Sequence, residues 1–430
     1  MRITADDKAI ARLAFPALGA LAAEPLYVLV DTAIVGHLGV APLAALALAG
    51  TLLGAIASLC TFLEYGTTPK VGRLFALGDS AGAAHLGRQG VLLGAAVGIA
   101  LAAVAAAVAG PLVHLFGAPG RVAPLAALYL RIAAIGLPFA LLSVAAEGYL
   151  RGVMRIRIPF QVLLGGNVLN AGLEFLFVYG FHWGIAGSAS GTVVAQAVMA
   201  GAFLMLLGAR DRERPLVDLS VLRSLARSST EILVRTAALY GAFLIAGAVL
   251  ARVGAASLAA HQIVFQLWNI LAFALDSLAI AAQVMVSHEL ARADKARARY
   301  LSSRILAWSL AVGVAFGLVM LALGGLLPQV FTGNARVLNR VHAIWWIFVL
   351  MQPLNGMVFA LDGILIGAED TRFLAWSMIP CTLLGFAPLA IISLTAGWGI
   401  VGVWLALCAF IGARLLATGW RFRGEAWVSH

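Results

Sequence analysis

Apolar runs of about 20 residues recur from one end of the chain to the other, each long enough to cross a hydrocarbon layer of about 30 Å. Reading the runs and their polar or glycine-rich breaks predicts twelve helical spans, at 9–35, 43–69, 86–109, 122–147, 158–180, 184–208, 229–251, 256–288, 303–327, 341–366, 373–394 and 399–419. The two-residue alternation of a membrane barrel is absent. Only helices and closed barrels satisfy their backbone in lipid, so the spans are helices. The first run, Leu13 to Val35, contains Glu24 and Asp31 and leads straight into another span, so it reads as an uncleaved first helix rather than a signal peptide. The expected fold is an all-α integral membrane protein.

Sliding the second half of the chain over the first produces matches at one constant offset of 215 residues. Gly39 and Leu43-Ala44-Ala45 meet Gly254 and Leu258-Ala259-Ala260, and Pro138 meets Pro353. Glu147-Gly148 meets Asp362-Gly363, and Trp183-Gly184-Ile185 meets Trp398-Gly399-Ile400. Paired Pro, Trp and acid-Gly positions in a single register define two six-helix repeats. An even number of spans gives both repeats one orientation, so a pseudo-two-fold runs along the membrane normal. The predicted organisation is an N-lobe over 1–208, a linker over 209–228 and a C-lobe over 229–430. Two such lobes around a central cleft suit alternating access and thus a transporter; a channel gains nothing obvious from them.

Composition agrees: 62% of the residues are hydrophobic and 11% charged, against about 25% charged in soluble proteins. The formal net charge of +10 would suggest a nucleic-acid partner, but its distribution rejects one. Of 29 Lys and Arg residues, 22 fall in loops on one side of the spans and four (Arg121, Arg252, Arg336 and Arg340) on the other. By the positive-inside rule both termini are cytoplasmic in a multi-pass protein of a bacterial cytoplasmic membrane. Cys60, Cys381 and Cys408 lie in apolar runs with no metal-site spacing, and read as small buried hydrophobes.

Acids inside spans change the picture most. A carboxylate at mid-bilayer costs at least about 2.5 kcal/mol, so each is a functional candidate. Seven lie well inside: Glu24, Asp31, Glu64, Glu147, Glu174, Asp276 and Asp362. With Arg235 taken as the clear intramembrane cation, the interior is net acidic, which favours cationic or neutral cargo and a bound H⁺ or Na⁺. Helical spacing places Glu24, Tyr27 and Asp31 on one face of the first helix. Asn167, Asn170 and Glu174 form a stripe on the fifth, and Ser188, Thr192 and Gln196 one on the sixth. Converged, the three stripes would hold an ion or a proton. The alternative is that they only lock the helices together, a role that fits Asn167 best. Pro16 is expected to weaken the first helix about four turns before Asp31. In the second repeat, Gln266, Asn269 and Asp276 share a face of the eighth helix and are candidates for a cavity wall. Glu147 and Asp362 fit a structural role, paired with loop arginines such as Arg151 or Arg372. Glu231 and Arg235 are spaced to pair with each other.

The segment L-x-F-P-A-L-G through A-E-P-L-Y-V-L-V-D-T-A-I-V-G-H-L-G, residues 13–39, resembles the multidrug and toxic compound extrusion (MATE) family, in particular its DNA-damage-inducible branch. Tyr65-Gly66-Thr67-Thr68, Trp183 through Ala189, Gln352-Pro353-Leu354-Asn355 and Asp362-Gly363 support the likeness, which covers nearly the whole chain. It implies a V-shaped pair of six-helix lobes that exports cationic, amphipathic organic compounds against H⁺ or Na⁺. It also implies an N-lobe ion site at Asp31, Asn170, Glu174 and Thr192, with Pro16 permitting the first helix to bend. Glu174 stands where relatives often carry Asp, and Glu64 is unusual for the branch. No cofactor beyond the coupling ion is expected. The expected partners are small organic compounds and membrane lipids, and the expected state is a monomer.

Two other classes compete. A flippase for lipid-linked, anionic cargo would need a cationic cavity. An intramembrane enzyme would need a catalytic set, but H-E-x-x-H, G-x-S-x-G and Walker motifs are absent.

Overall fold

The computed structural model describes residues 4–116, 120–207 and 214–428; the side chain of Glu24, and Arg210 and Arg212 of the linker, lie outside the described residues. Eleven helices are long and apolar enough to span a membrane, and a twelfth span is a pair bent by 50°. We label them α1 (Ala5–Gly36), α2 (Val40–Ala76), α3 (Ser80–Leu115) and α4 (the bent pair, Val122–Ala134 and Leu137–Gly152). Then come α5 (Arg157–Gly180), α6 (Ile185–Leu206), α7 (Leu219–Val253) and α8 (Ala255–Ala291). The last four are α9 (Lys295–Leu323), α10 (Ala335–Gly367), α11 (Thr371–Thr395) and α12 (Gly399–Arg423). No strand occurs among the described residues. The twelve expected spans are thus present; most helices run further than the apolar runs, while α6 (Ile185–Leu206) and the end of α9 (Leu323) stop short of them.

The chain divides into two compact units. The first is Gly19–Ser229; the second joins Met1–Leu18 to Thr230–His430. The front of α1 therefore groups with the second unit. Within the first unit a small-residue core (Ala45, Ala49, Ala126, Ala133) lies among α2, α4 and α6. The second unit is packed with larger rings, including Phe348, Phe386, Trp404 and Phe410.

The internal repeat is visible in the backbone. Left-handed residues come in pairs 215 positions apart: Gly39 and Gly254, Gly78 and Ala293, Met154 and Glu369, His182 and Gly397, Gly184 and Gly399. Gly120 is the exception. After the second of these turns, Asp79 caps α3 by accepting from Gly82 N at 2.6 Å, and Asp294 caps α9 by accepting from Arg297 N at 2.8 Å. The G-x-x-x-G segments also work alike. A Cβ on Gly148 would stand 2.9 Å from Glu64 O, and one on Gly152 2.8 Å from Thr68 O, so α4 lies directly on the backbone of α2. Gly363 and Gly367 lie the same way on Ala279 and Gln283 of α8. Helix association in lipid depends on such close approach, because burying apolar surface supplies no drive there.

Candidate functional site

The back half of α1 is stitched onto α5. Pro25 has no N–H to offer the preceding turn; close by, Asn167 Nδ2 donates to Ala23 O at 3.0 Å. Tyr179 OH donates to Ile34 O at 2.6 Å. Asn167 thus takes the helix-joining role its position suggested. Between these two stitches the predicted stripes meet. Ser188 Oγ donates to Asp31 Oδ1 at 2.7 Å. Asn170 Nδ2 donates to Glu174 Oε1 at 2.9 Å, and Thr192 Oγ1 to the same oxygen at 3.2 Å. Tyr27 OH lies 3.0 Å from Thr192 Oγ1. The carboxyls of Asp31 and Glu174 stand within reach of each other, and Tyr129 of α4 comes close to both and to Ser188 and Thr192.

Asp31 is 5% exposed and Glu174 fully buried, yet no basic side chain among the described residues pairs with either. Asn170 Oδ1 and Glu174 Oε2 are buried acceptors with no donor. Two carboxylates and two neutral oxygen ligands around orphaned acceptors are the donor set a hard cation or a shared proton takes. The oxygens come from three helices, so binding there is tied to how those helices pack. No group of three or more His, Cys, Asp or Glu suited to a metal occurs among the described residues.

Asp31, Asn170, Glu174, Thr192 and Tyr27 are therefore brought together. Gln196 lies one turn further along α6, half-buried, its amide against Gly136 where α4 breaks. Gln266, exposed, and Asn269 and Asp276, half-buried, lie on α8 in the other unit. Pro16 sits inside an unbroken helix. Ser188 was visible in the sixth-helix stripe but not as the partner of Asp31. Tyr129 was missed; its signal is a tyrosine within an otherwise apolar run, Ala123 through Ala134, broken only by it and Arg131.

Three of the remaining acids have arginine partners, which narrows the acidic excess of the interior without removing it. Arg151 is 3% exposed; it contacts Glu64 and stands 3.6 Å from Glu147. That accounts for Glu64. Asp362, also buried, accepts from Arg235 and, at 2.6 Å, from Arg414 Nη2. Its partners are therefore these two, while Arg372 is exposed. Arg235 reaches Asp362 across 127 residues, a partner its spacing from Glu231 did not announce, and Glu231 accepts from Thr371 Oγ1 at 2.5 Å. Three of the seven acids are matched by three arginines, Arg151 and Arg414 buried and Arg235 half-buried, because a lone charge in that setting is far more expensive than a paired one.

A bundle of twelve candidate spans in two repeats is the architecture of a membrane transporter. The MatE family model matches the chain twice, over residues 16–176 and 232–392. The chain belongs to the multidrug and toxic compound extrusion (MATE) family. It is similar to Protein DETOXIFICATION 44, chloroplastic, of Arabidopsis thaliana, with 30% identity over 96% of this chain and 81% of that one. To DNA damage-inducible protein F of Escherichia coli K12 it is 27% identical, over 99% and 95%. The fold superposes on the Vibrio cholerae MATE transporter VcmN in the bent form with a TM-score of 0.88, at 20% identity and 98% coverage of both chains.

Proposed function

We propose that this extrusion transporter exports cationic, amphipathic organic compounds in exchange for inward H⁺ or Na⁺, with Asp31, Asn170, Glu174 and Thr192 as the coupling site. The observation that carries the reading is the buried Asp31–Glu174 pair without a basic partner. Two close carboxylates out of water repel each other, and a proton or Na⁺ between them removes that repulsion. The site therefore alternates between loaded and empty forms of different charge, as coupling requires. Ser188 and Tyr27 hold the oxygens in place from the same helices, and Tyr129 from a fourth, α4. The half-buried Asp276, with Gln266 and Asn269 on the same helix, supplies a polar wall and a negative charge for a cationic cargo. The distribution of arginine and lysine supports cytoplasmic termini, and the protein acts as a monomer.

The test is efflux of a cationic dye from proteoliposomes under an imposed pH gradient and, separately, an imposed sodium gradient. Efflux driven by one and abolished by its collapse is expected. Efflux indifferent to both would refute ion coupling.

A second reading, export of an anionic metabolite or lipid-linked compound, draws on Arg235 and Arg414. It ranks lower because both guanidiniums already share Asp362. Cargo competition in the same liposomes, organic cations against organic phosphates, separates the two.

A further inference from the structure

α1 is the helix that the two compact units divide between them: residues to Leu18 group with the second unit, and residues from Gly19 with the first. Its two ends each carry a buried carboxylate. At the back is Asp31. At the front is Asp7, 3% exposed. The Asp7 carboxylate accepts from Thr4 N at 2.7 Å and Thr4 Oγ1 at 2.9 Å, while Asp7 N lies 3.4 Å from Thr4 Oγ1. This is a reciprocal helix cap. A cap needs no donor from another helix, yet Asp7 has several. Trp308 Nε1 donates to Asp7 at 2.8 Å, Arg304 Nε at 3.2 Å, and Arg304 Nη2 makes a second contact. Asp6 beside it accepts from Arg297 Nη1 at 3.1 Å and from Nη2. Arg297, Arg304 and Trp308 all lie on α9. A buried ion pair adds little stability over apolar packing, but a two-pronged guanidinium contact fixes direction and register. The first turn of α1 is thereby bolted to α9.

Between the bolt and the coupling site α1 runs without a break through Pro16. Pro16 leaves the carbonyl of Arg12 without its helical N–H, and the changeover at Leu18 and Gly19 comes at once. From there the helix is held by α5: a Cβ on Gly19 would stand 2.8 Å from the Phe160 ring, and Asn167 and Tyr179 grip its carbonyls further on. α5 is also the helix that carries Asn170 and Glu174. Asp7 and Asp31 are about 36 Å apart along a straight helix at 1.5 Å per residue.

We propose that Asp7, with Arg304 and Trp308, is a positioning site for transport, through which α1 passes the charge state of the Asp31–Glu174 pair to α9. The inference rests on the coupling role of that pair. Loading or emptying the pair shifts the gripped part of α1, which runs unbroken to its first turn. The bolted first turn converts that shift into a displacement of α9, where a frayed first turn would absorb it.

The test uses the full chain in nanodiscs, with hydrogen exchange read at α1 and α9 on adding H⁺ or Na⁺, and dye efflux read in liposomes. In the parent, exchange is expected to change at both the Asp31 end of α1 and α9. In Asp7→Asn the change near Asp31 stays, the change at α9 disappears, and the maximal efflux rate falls at least tenfold with an unaltered KM for dye. Asp7→Glu, which keeps a carboxylate for Arg304 and Trp308, should retain most of both readouts, and a parental melting temperature in Asp7→Asn separates a lost bolt from misfolding. If α9 responds in Asp7→Asn as in the parent, or the rate is parental, the positioning role is wrong. If the parent shows no ion response near Asp31, the coupling reading itself fails and takes this inference with it.

Discussion

In the first unit, two buried carboxylates face each other with hydroxyls and an amide but with no basic side chain among the described residues; in the second, one buried carboxylate is gripped by two guanidiniums. Glu147 and Asp362 occupy equivalent repeat positions, yet their neighbourhoods have opposite balance. Around Glu147 two acids share Arg151, and around Asp362 two arginines share one acid. Repeat symmetry therefore governs backbone and packing but not charge. An unmatched acid pair can change its charge at modest cost. A carboxylate between two guanidiniums cannot, since losing its charge would leave buried arginines facing each other. We read the first cluster as machinery and the second as a rivet.

The sharpest way to break this contrast is Asp31→Asn against Asp362→Asn. Asp31→Asn should fold, run as the parent on size exclusion and keep its melting temperature, yet lose gradient-driven efflux by about 100-fold or more. Asp362→Asn should fail differently. Breaking a buried pair costs about 3–5 kcal/mol, so its melting temperature in detergent should fall before any transport defect can be assigned. If the two variants exchanged these phenotypes, the assignment of roles would be reversed.

Next in size is the division of labour within the first cluster. Glu174→Gln keeps length and hydrogen bonding but removes a charge, and is expected to weaken coupling about tenfold. Tyr129→Phe and Ser188→Ala should shift the gradient required for half-maximal efflux by less, since neutral hydrogen bonds contribute about 1 kcal/mol each. Asp276→Asn should reduce transport of some cations while the ion dependence persists. Parental coupling in Glu174→Gln would leave Asp31 acting alone.

The helix crossings should respond alike in both units, which sharpens the contrast from the other side. Gly148→Ala and Gly363→Ala each drive a methyl into the facing backbone, at Glu64 and Ala279 respectively. Overpacking of this kind costs about 1–3 kcal/mol, read as equal losses of thermal stability.

The smallest effect concerns the linker. Asp218 lies on its described part, where His85 Nε2 stands 3.4 Å away, Gln89 accepts from the Asp218 N–H, and Lys70 Nζ donates to Ser224 Oγ at 2.6 Å. The Ser220 hydroxyl, and then the Val221 N–H, hold the Asp218 carboxyl down at about 2. Because the folded value is depressed, this hold is present above about pH 4 and is lost as the pH falls through about 2. Protease cleavage within 214–221 should therefore stay slow to pH 4 and rise below it. In Asp218→Asn, cleavage should already be faster at neutral pH.

Much of this was legible in the sequence, for physical reasons that differ by feature. Spans and repeat register follow from hydropathy and glycine position, both local signals. The meeting of Asp31, Asn170, Glu174 and Thr192 was readable because each helix displays its polar stripe at helical spacing, and the family likeness supplied the convergence. The partners of Asp362 were not readable. Arg235 and Arg414 lie on helices 127 and 52 residues away, and no local spacing announces which face of α7 or α12 turns toward α10. Glu64 is the same case, its arginine arriving through the α2–α4 glycine crossing. Asp7 was invisible for another reason: an acid in a first turn looks like an ordinary cap.

The paired left-handed turns hold a record of the duplication that the side chains have partly erased. At Met154, His182, Ala293 and Glu369 the backbone keeps a positive φ near 60° although each residue bears a Cβ, while Gly78 and Gly397 still stand opposite two of them. A left-handed conformation disfavours such residues by about 1–2 kcal/mol relative to glycine. Each of these sites is thus a place where the ancestral turn has outlived its most comfortable occupant. Drift has loaded them with strain that the surrounding helices tolerate. For an engineer they are ready-made stabilising positions: Ala293→Gly and His182→Gly install the glycine that the symmetry-related turn carries, without touching a helix interior.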